Sequence, residues 1–250
     1  MSDNSYIYGR NAVIEALTSG KAIEKIFLSY GVQGASINKI YTLAKKAGVK
    51  VVKHDQNKFK DLEKKIGIFA RHSQGAIALK EMISFVDPEI LFHRALKASD
   101  YPVIVALDSI EDPHNLGAIA RSIECSGAFG ILMSERNSAP VTPASVKTSA
   151  GALEYLPVAK AGNLSQSLEK AKELGFWVIG SEMNAQNSYT DNIYDRPILL
   201  VIGNEGKGIR PSVLKHCDIK IKIPMNGKIE SLNASVSAGI ILFEIARQQS

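Results

Sequence analysis

The sequence predicts an α/β protein in which short buried strands alternate with helices, and three observations support this fold class. Four apolar runs within residues 103–203, VIVALD, FGILM, FWVIG and ILLVIG, have the length of buried strands. Helical stretches such as NLGAIARSIECSG and NLSQSLEKAKELG separate them. A weaker α/β pattern precedes them. Strands that alternate with helices form a mostly parallel sheet with helices on both faces.

The first 80 residues carry the weaker pattern. GRNAVIEALTSG is predicted as a helix that stops at Gly20, EKIFLSY as a strand, and SINKIYTLAKKAG as a helix that ends at Gly48. The strand VKVVK, a lysine-rich helix near residues 56–65 and the strand GAIALK follow. We therefore predict a small α/β domain over residues 1–80.

A connector is predicted over residues 81–101, with one helix after Asp87 and Pro88. The second domain then spans residues 102–250. In open parallel sheets, ligands bind at the carboxyl ends of the strands. The glycine-rich segment IGNEGKGI, residues 202–209, lies at such an end and is the first candidate ligand loop.

Positive charge is concentrated in the first part of the chain. Residues 1–100 carry 16 lysines and arginines against 10 acids, a net charge of +6, whereas residues 101–250 carry 14 against 15, a net charge of −1. Within residues 21–65, eleven lysines face four acids. Such a surface attracts polyanions, nucleic acid above all, although solvated lysine-rich helix faces are the simpler alternative.

Composition argues against several other classes of protein. With 45% hydrophobic and 22% charged residues, no apolar run near the roughly 20 residues of a membrane span, and no signal-peptide pattern at the start, the chain is expected to be cytoplasmic. Cys125 and Cys217 lie outside any CxxC pattern and the five histidines lack metal-ligand spacing, so no metal is expected. Both cysteines, like Trp177, are expected in the core.

The loop 202–209 does not match the common phosphate-binding motifs. A Walker loop requires a glycine five residues before the GK pair and a Ser or Thr after Lys207, and both are missing. Gly203, Gly206 and Gly208 give GxxGxG instead of the Rossmann GxGxxG. Glu205 would repel phosphate, which favours a neutral or cationic ligand. A turn without a ligand is the alternative.

Two further polar segments follow the same pattern of strand, loop and helix. DPHNLGAIARS places Asn115 as a candidate helix N-cap, with Arg121 on the helix that follows. SLNASVSAGI places Ser231 and Asn233 at the start of a helix whose small residues permit close backbone approach. Helix capping and tight packing would explain each segment alone.

Together, these segments resemble the SpoU-type RNA ribose 2'-O-methyltransferases of the SPOUT superfamily. The motifs are DPHNLGAIARS, LVIGNEGKGI with its continuation to HCDIKIKIPM, and SLNASVSAGI, in the family's order within residues 101–250. IYGRNAVIEAL and RHSQGAIAL resemble segments of the small substrate-binding domain of bacterial ribosomal RNA members, which is L30e-like. The resemblance is to segments of the family member that methylates a guanosine ribose in the peptidyl-transferase loop of 23S ribosomal RNA.

The resemblance implies S-adenosylmethionine as methyl donor, a deep trefoil knot near the C-terminus, and a homodimer whose active site draws on both subunits. The implied activity is methyl transfer to the ribose 2'-hydroxyl of a guanosine in 23S ribosomal RNA. Transfer RNA as the substrate and a non-enzymatic RNA-binding assembly factor are the alternatives. The separate N-terminal domain argues against the former, and the matched motif residues argue against the latter.

The resemblance also implies roles for individual residues. The implied catalytic residues are Asn115, Arg121, Glu205, Ser231 and Asn233. The implied cofactor-binding residues are Gly203, Ile223 and Leu232. The implied RNA-binding residues are Arg10, Arg71, His72 and Gln74, with Asn11 as a further candidate whose simpler role is helix capping. Arg121 acts either as the base or, because a guanidinium has a pKa above about 12, as a charged anchor for phosphate.

Overall fold

The computed structural model describes residues 6–228 and 231–250. Positions 1–5, at the start of the predicted first domain, and positions 229–230, just before the third motif, lie outside the described residues. The chain divides into two compact units, Met1–Met82 and Ile83–Ser250.

The first unit is a four-stranded sheet with four helices. Its strands follow the order β1-β4-β2-β3, in which only β2 and β3 run parallel. The elements in chain order are β1 (Tyr6–Tyr8), α1 (Arg10–Thr18), β2 (Ile23–Ser29), α2 (Ala35–Lys46), β3 (Lys50–His54), α3 (Gln56–Lys65), α4 (Ala70–Ser73) and β4 (Ala76–Lys80).

Local sequence explains the elements of this unit. The Asp55 side chain caps α3 by accepting a hydrogen bond of 2.9 Å from the Lys58 backbone N–H, and Phe59 is the apolar residue that α3 buries. In β2, Ile26 and Leu28 are fully buried against α1 and α2. The lysines that dominate α3 lie on its exposed side.

The second unit is an eight-stranded sheet in which all of the described strand pairs are parallel. Its strand order is β10-β12-β9-β11-β6-β7-β8-β5. The elements in chain order are β5 (Phe85–Val86), α5 (Pro88–Ala98), β6 (Val103–Asp108), α6 (Pro113–Ser126), β7 (Gly130–Ser134), α7 (Pro143–Thr148), α8 (Ala152–Tyr155), β8 (Val158–Ala161), α9 (Leu164–Glu173), β9 (Trp177–Ser181), β10 (Asn187–Ser188), β11 (Ile198–Gly203), α10 (Pro211–Leu214), β12 (Ile219–Lys222) and α11 (Ala234–Gln248).

Helices cover both faces of this sheet. Successive residues of β6 point to opposite faces, as a strand requires. Val105 and Leu107 pack in one core with α6 and α11, whereas Ile104 and Ala106 pack in another with α5 and α9. The predicted α/β class with a parallel sheet is therefore confirmed.

Of residues 81–101, interpreted from the sequence as a connector, residues 83–101 belong to the second unit. Strand β5 pairs with β8, and Leu91, Phe92 and Ala95 of α5 are fully buried. Burial of these apolar side chains explains why the division falls between Met82 and Ile83.

The expectations that Trp177 and Cys125 lie in the core are wrong. Trp177 is 39% exposed because it begins β9 at the amino edge of the sheet, where the Arg196 guanidinium lies 4.2 Å from the ring centroid. Cys125 is exposed on α6. Cys217 is partly buried, and its burial raises the pKa of the thiol to about 12.

Candidate active site

The candidate site lies where four neighbouring strands end. Asp108, the last residue of β6, is in register with Gly203, the last residue of β11. Strands β9 and β12 run parallel beside β11, so their carboxyl ends meet at the same edge. Loops that are far apart in sequence therefore converge there, as the ligand-binding rule for parallel sheets predicts.

Three polar side chains from three segments form a hydrogen-bonded cluster at this edge. The Asn115 amide Nδ2 donates to Glu205 Oε1 over 2.7 Å. The Asn233 amide Nδ2 donates to Asn115 Oδ1 over 3.0 Å and also to Glu205 Oε1. One carboxylate oxygen thus accepts from two amides, while Oε2 has no hydrogen-bond partner among the described residues.

Asn115 is not the helix cap that the sequence suggested. Asp112 caps α6, and its side chain accepts from the His114 backbone N–H over 2.9 Å. Pro113 occupies the first helical position, where a missing N–H costs nothing. Because Asp112 provides the cap, the Asn115 side chain is available for the cluster.

Asn233 has two roles. Its Oδ1 caps α11 by accepting from the backbone N–H groups of Ser235, at 2.9 Å, and Val236, at 3.4 Å. Its Nδ2 points into the cluster. The predicted capping role is confirmed, and the cap fixes the orientation of the amide donor.

The loop that presents Glu205 is closed by its own backbone. Asn204 and Gly208 exchange two backbone hydrogen bonds of 2.8 and 3.1 Å, and Gly208 has a φ of 65°, which favours glycine. A Cβ on Gly203 would lie 2.3 Å from backbone atoms of Gly208 and Ile209. Gly203 is therefore needed for the closure of the loop.

An ion pair between the buried Asp108 and the partly exposed Arg210 anchors the far end of this loop. Asp108 is fully buried, and Oδ1 accepts from Arg210 Nε at 2.7 Å and Nη2 at 2.6 Å. The Arg210 backbone N–H donates to Asp108 Oδ2 at 2.7 Å. Charge-assisted hydrogen bonds of this kind are the strong ones, so the pair ties the loop to the end of β6.

A cavity of about 310 Å³ opens beside the cluster. Gly203, Ile223 and Leu232, the three predicted cofactor-binding residues, line it together with Ser231 and Glu205. Ser181, at the end of β9, and residues 182–184, which follow it, form a further wall that was not predicted from the sequence, and neither was Met225. If the sequence had shown that β9 lies beside β11, residues 181–184 would have been expected at this edge of the sheet.

A second cavity of about 250 Å³ lies against the same cluster. Its lining includes Asn115, Asn233 and residues 110–112, which precede α6. Asn204 and Glu205 line both cavities. The arrangement can therefore hold two ligands that meet at Glu205.

Arg121 is separate from the cluster. It is exposed, and it is not among the residues that line either cavity. At about 100° per residue, it lies about a third of a turn around α6 from Asn115. Of the five predicted catalytic residues, the structure places Asn115, Glu205 and Asn233 in contact, sets Ser231 on the cavity wall, and leaves Arg121 on the surface.

The predicted RNA-binding residues lie in the first unit around α4. Arg10 reaches across to this segment and donates from Nε to the Gln74 carbonyl at 2.9 Å and from Nη1 to the Gln33 carbonyl at 3.4 Å. Gln74 is left-handed, with a φ of 49°. Arg10 therefore holds two turns together. Asn11 does not cap α1, because the N-cap is Gly9.

Arg71 and His72 both lie beside Phe69, an aromatic residue that was not among the predicted RNA-binding residues. Phe69 is 69% exposed, the Arg71 guanidinium lies 5.7 Å from its ring centroid, and the His72 ring is 6.0 Å away. A hydrogen bond between the Ser73 hydroxyl and the buried Glu63 carboxylate fixes the segment from inside. Bases can stack on an exposed ring of this kind.

The described part of the chain contains neither a candidate metal site nor a candidate membrane span. Across residues 6–228 and 231–250, no group of three or more His, Cys, Asp or Glu side chains is arranged to hold a metal ion. No helix in that part of the chain is long and apolar enough to cross a bilayer.

Two protein-family models match the chain. The model of the SpoU rRNA methylase family matches residues 102–243, and the model for RNA 2'-O ribose methyltransferase substrate binding matches residues 6–74. The chain is 35% identical over 247 residues to a Bacillus subtilis protein and 37% identical over 243 residues to a Staphylococcus haemolyticus protein. Both are named as TrmH-family tRNA/rRNA methyltransferases, and the matches cover 97–99% of this chain and 95–97% of the relatives.

Solved structures share the fold. The Streptomyces viridochromogenes SpoU methyltransferase AviRb, in complex with AdoMet, matches with a TM-score of 0.60 and 23% identity over 98% of this chain and 89% of that one. An AdoMet-bound rRNA methyltransferase from Sinorhizobium meliloti matches with 0.57 and 23% over 97% and 86%. The A. aeolicus TrmH/SpoU tRNA modifying enzyme matches with 0.55 and 29%, over 65% of this chain and 84% of that one.

Proposed function

The chain belongs to the SpoU rRNA methylase family, and from that premise we propose that it transfers a methyl group from S-adenosylmethionine to the ribose 2'-hydroxyl of a guanosine in 23S ribosomal RNA. The observation that supports this best is the Glu205 carboxylate, which accepts from two amides and lines two adjoining cavities. One cavity suits the methyl donor and the other suits the ribose.

The residues of the larger cavity fit S-adenosylmethionine. Apolar side chains such as Ile202, Leu214 and Met225 suit an adenine ring, and Glu182 and Glu205 provide negative charge for a cation. The backbones of Gly203, Ile223 and Leu232 are the proposed contacts of the adenosine. When bound, this cofactor supplies an activated methyl group on a positively charged sulfur.

The chain's own residues orient the acceptor. The two amide donors hold Glu205 Oε1, which leaves Oε2 to accept a hydrogen bond from the ribose 2'-hydroxyl and to take its proton as the oxygen–methyl bond forms. Holding the hydroxyl in line with the donor converts an encounter of two substrates into an oriented reaction. Ser231, on the wall of the larger cavity, is proposed to position the loops around the two ligands.

Arg121 is proposed to bind the phosphate next to the target ribose and to stabilise the developing alkoxide. A guanidinium stays protonated, which favours this role over that of a literal base. An Arg121→Lys variant separates the possibilities. Near-normal turnover would exclude every role that requires the planar guanidinium fork.

A homodimer would bring Arg121 of one subunit to the active site of the other. On α11, Val236 and Phe243 are 47% and 54% exposed on one face, and α11 packs against α6, which carries Arg121. We propose that a second copy covers this apolar face and that Arg121 acts in the partner's site. A trefoil knot in the C-terminal part and an L30e-like fold of the first unit belong to the same proposal.

Mixing two inactive variants tests the shared site. Arg121→Ala and Glu205→Gln proteins, mixed and allowed to exchange subunits, are expected to regain about a quarter of wild-type activity, because half of the dimers are mixed and each has one intact site. If Arg121 acts within its own subunit, the mixture stays inactive.

The separate first unit supports ribosomal RNA over transfer RNA. That unit matches a substrate-binding family model, and the tRNA-modifying structure of A. aeolicus matches only 65% of this chain. The experiment is transfer of labelled methyl to unmethylated large-subunit RNA and, in parallel, to transfer RNA. Label in the former alone supports the proposal, label in transfer RNA alone supports the alternative substrate, and no label in either supports a non-enzymatic factor.

A further inference from the structure

A cavity of about 520 Å³ in the first unit lies outside all the residues assigned so far. The end of β2, the turn 30–34, the first half of α2 and Lys53 of β3 line it. Its volume falls in the range of small-molecule sites, about 300–1,000 Å³. The cavity is therefore large enough for one nucleotide.

Two tyrosines and a lysine give this cavity its chemistry. Tyr30 is 70% exposed and presents its ring to solvent. The Tyr41 hydroxyl is buried and has no hydrogen-bond partner among the described residues. Lys53 Nζ lies 5.6 Å from the Tyr41 ring centroid and, in the same part of the chain, makes no ion pair with a carboxylate. A buried hydroxyl without a partner is costly, which points to a polar ligand that satisfies it.

The polar groups around the cavity match the parts of a nucleotide. Aromatic rings such as Tyr30 stack on bases, and a lysine pairs with phosphate. The Gln33 and Asn38 side-chain amides and the Tyr41 hydroxyl supply donors and acceptors for a base edge. The N-cap of α2 is Gly34, which has no side-chain oxygen. The cap residue therefore offers no side-chain acceptor to the first backbone N–H groups of the helix.

The cavity is joined to the segment that carries Arg71 and His72. The Ser29 backbone N–H donates to the Gly75 carbonyl at 3.0 Å, and Arg10 bridges the carbonyls of Gln33 and Gln74. The turn 30–34 and the segment 70–75 are thus held side by side. An RNA strand that contacts one of them passes close to the other.

We propose that this cavity binds one unstacked nucleotide of the RNA substrate, with Tyr30 against the base and Lys53 on the phosphate. This inference rests on the proposed function, because it assumes that the first unit binds RNA. It adds a nucleotide-binding subsite to the RNA-binding residues around α4.

Binding of the full chain to a fluorescently labelled fragment of large-subunit RNA tests the subsite. Tyr30→Ala is expected to weaken RNA binding about 5- to 100-fold, the effect of losing one base stack, and Tyr30→Phe is expected to restore it. Lys53→Gln is expected to lower the slope of log affinity against log salt by about 0.7. Tyr41→Phe is expected to weaken RNA binding without loss of stability, because the hydroxyl has no protein partner to lose.

Two matched variants in the second unit serve as controls. Tyr155→Ala removes an aromatic ring that is 81% exposed, and Lys97→Gln removes one exposed positive charge. Both are expected to bind RNA as the wild type does. In turnover assays, the subsite variants are expected to raise KM for RNA while kcat and cofactor affinity stay unchanged.

The outcomes separate this inference from the proposed function. If the wild type methylates RNA but Tyr30→Ala and Lys53→Gln bind it normally, or if the controls weaken binding equally, the subsite is refuted and the function survives. If a free nucleoside monophosphate binds and those variants abolish its binding without affecting RNA, the cavity serves a free nucleotide and the inference is wrong. If the wild type neither binds nor methylates RNA, both proposals fail.

Discussion

Replacing Arg210 with methionine should destabilise the second unit and loosen the loop that presents Glu205. The substitution keeps most of the side chain's volume but removes the guanidinium. Asp108, which is fully buried, then keeps only the backbone N–H of residue 210 as a described hydrogen-bond donor from this loop. A buried carboxylate that loses its charged partner is strongly destabilising.

The expected loss of stability follows from the bonds removed. Arg210 Nε and Nη2 each donate to Asp108 Oδ1, at 2.7 and 2.6 Å. A hydrogen bond to a charged group contributes about 1.5–3 kcal/mol. The Arg210 side chain is 42% exposed, so water replaces part of the interaction and the lower end applies, about 3 kcal/mol for the two bonds. For a unit of this size, Tm should fall by about 6–12 °C.

Urea unfolding followed by tryptophan fluorescence measures this loss. Trp177 is the sole tryptophan and lies in the second unit, so its emission reports the unfolding of that unit. The midpoint should fall at an unchanged slope. The affinity for S-adenosylmethionine should fall as well, because the loop lines the donor cavity.

Arg247→Met is the matched control. Arg247 pairs with Glu244 on α11; the Arg247 side chain is 67% exposed, and without it the 12% exposed Glu244 keeps a hydrogen bond from the Gln248 amide. Its loss should leave the midpoint close to that of the wild type. If Arg210→Met is as harmless as Arg247→Met, the ion pair does not anchor the loop and the reasoning is refuted.

Three further predictions concern the loop, the cluster and the thiols. Gly203→Ala should abolish cofactor binding in calorimetric titrations, because its Cβ would lie 2.3 Å from loop backbone atoms; normal binding would contradict the described closure. Asn233→Ala should cost about 1 kcal/mol of stability through the lost cap, whereas Asn233→Asp should keep the cap. Both Asn233 variants should lose turnover with the amide donor, as thermal melts and methyl-transfer assays would show, and an active Asp variant would be inconsistent with that role. Burial raises the pKa of the Cys217 thiol to about 12, so it stays protonated below that pH. At pH 8 a thiol reagent should therefore modify Cys125 alone in the folded protein, and two reactive thiols would refute the burial.

Strong apolar runs made much of the second unit predictable. The segments at residues 103–107 and 198–203 contain no polar side chain, and the structure places strands over Val103–Asp108 and Ile198–Gly203. In the first unit, the predicted helix near residues 56–65 has the bounds Gln56–Lys65 because Asp55 caps it. Local signals of this kind act within a few residues and can be read from sequence.

The order of the strands in the sheet could not be predicted from local sequence signals. β12 spans Ile219–Lys222 with alternating lysines, and β10 has two residues, so neither forms a run that stands out. Which strands neighbour β9 depends on long-range packing. The contribution of residues 181–184 to the donor cavity became visible only with that order.

Side-chain roles were predictable where they depend on residues that are near in the sequence. Asn233 fits its capping role, whereas the cap predicted at Asn115 is wrong, because Asp112 is the N-cap and Pro113 occupies the first helical position. The RNA contact of Arg10 stays a prediction, and its hydrogen bonds to the carbonyls at positions 33 and 74, which are distant in sequence, were not predicted. Long-range partners of this kind leave no local pattern.

Nucleoside analysis of methylated RNA tests the central claim most directly. Large-subunit RNA from a strain that lacks this protein would be incubated with the full chain and labelled S-adenosylmethionine. The RNA would then be digested to nucleosides, and mass spectrometry would identify the labelled ones. The proposed function predicts label in 2'-O-methylguanosine, and none when Glu205→Gln replaces the wild type. Label on a base, on the ribose of another nucleoside, or in no nucleoside at all would contradict it.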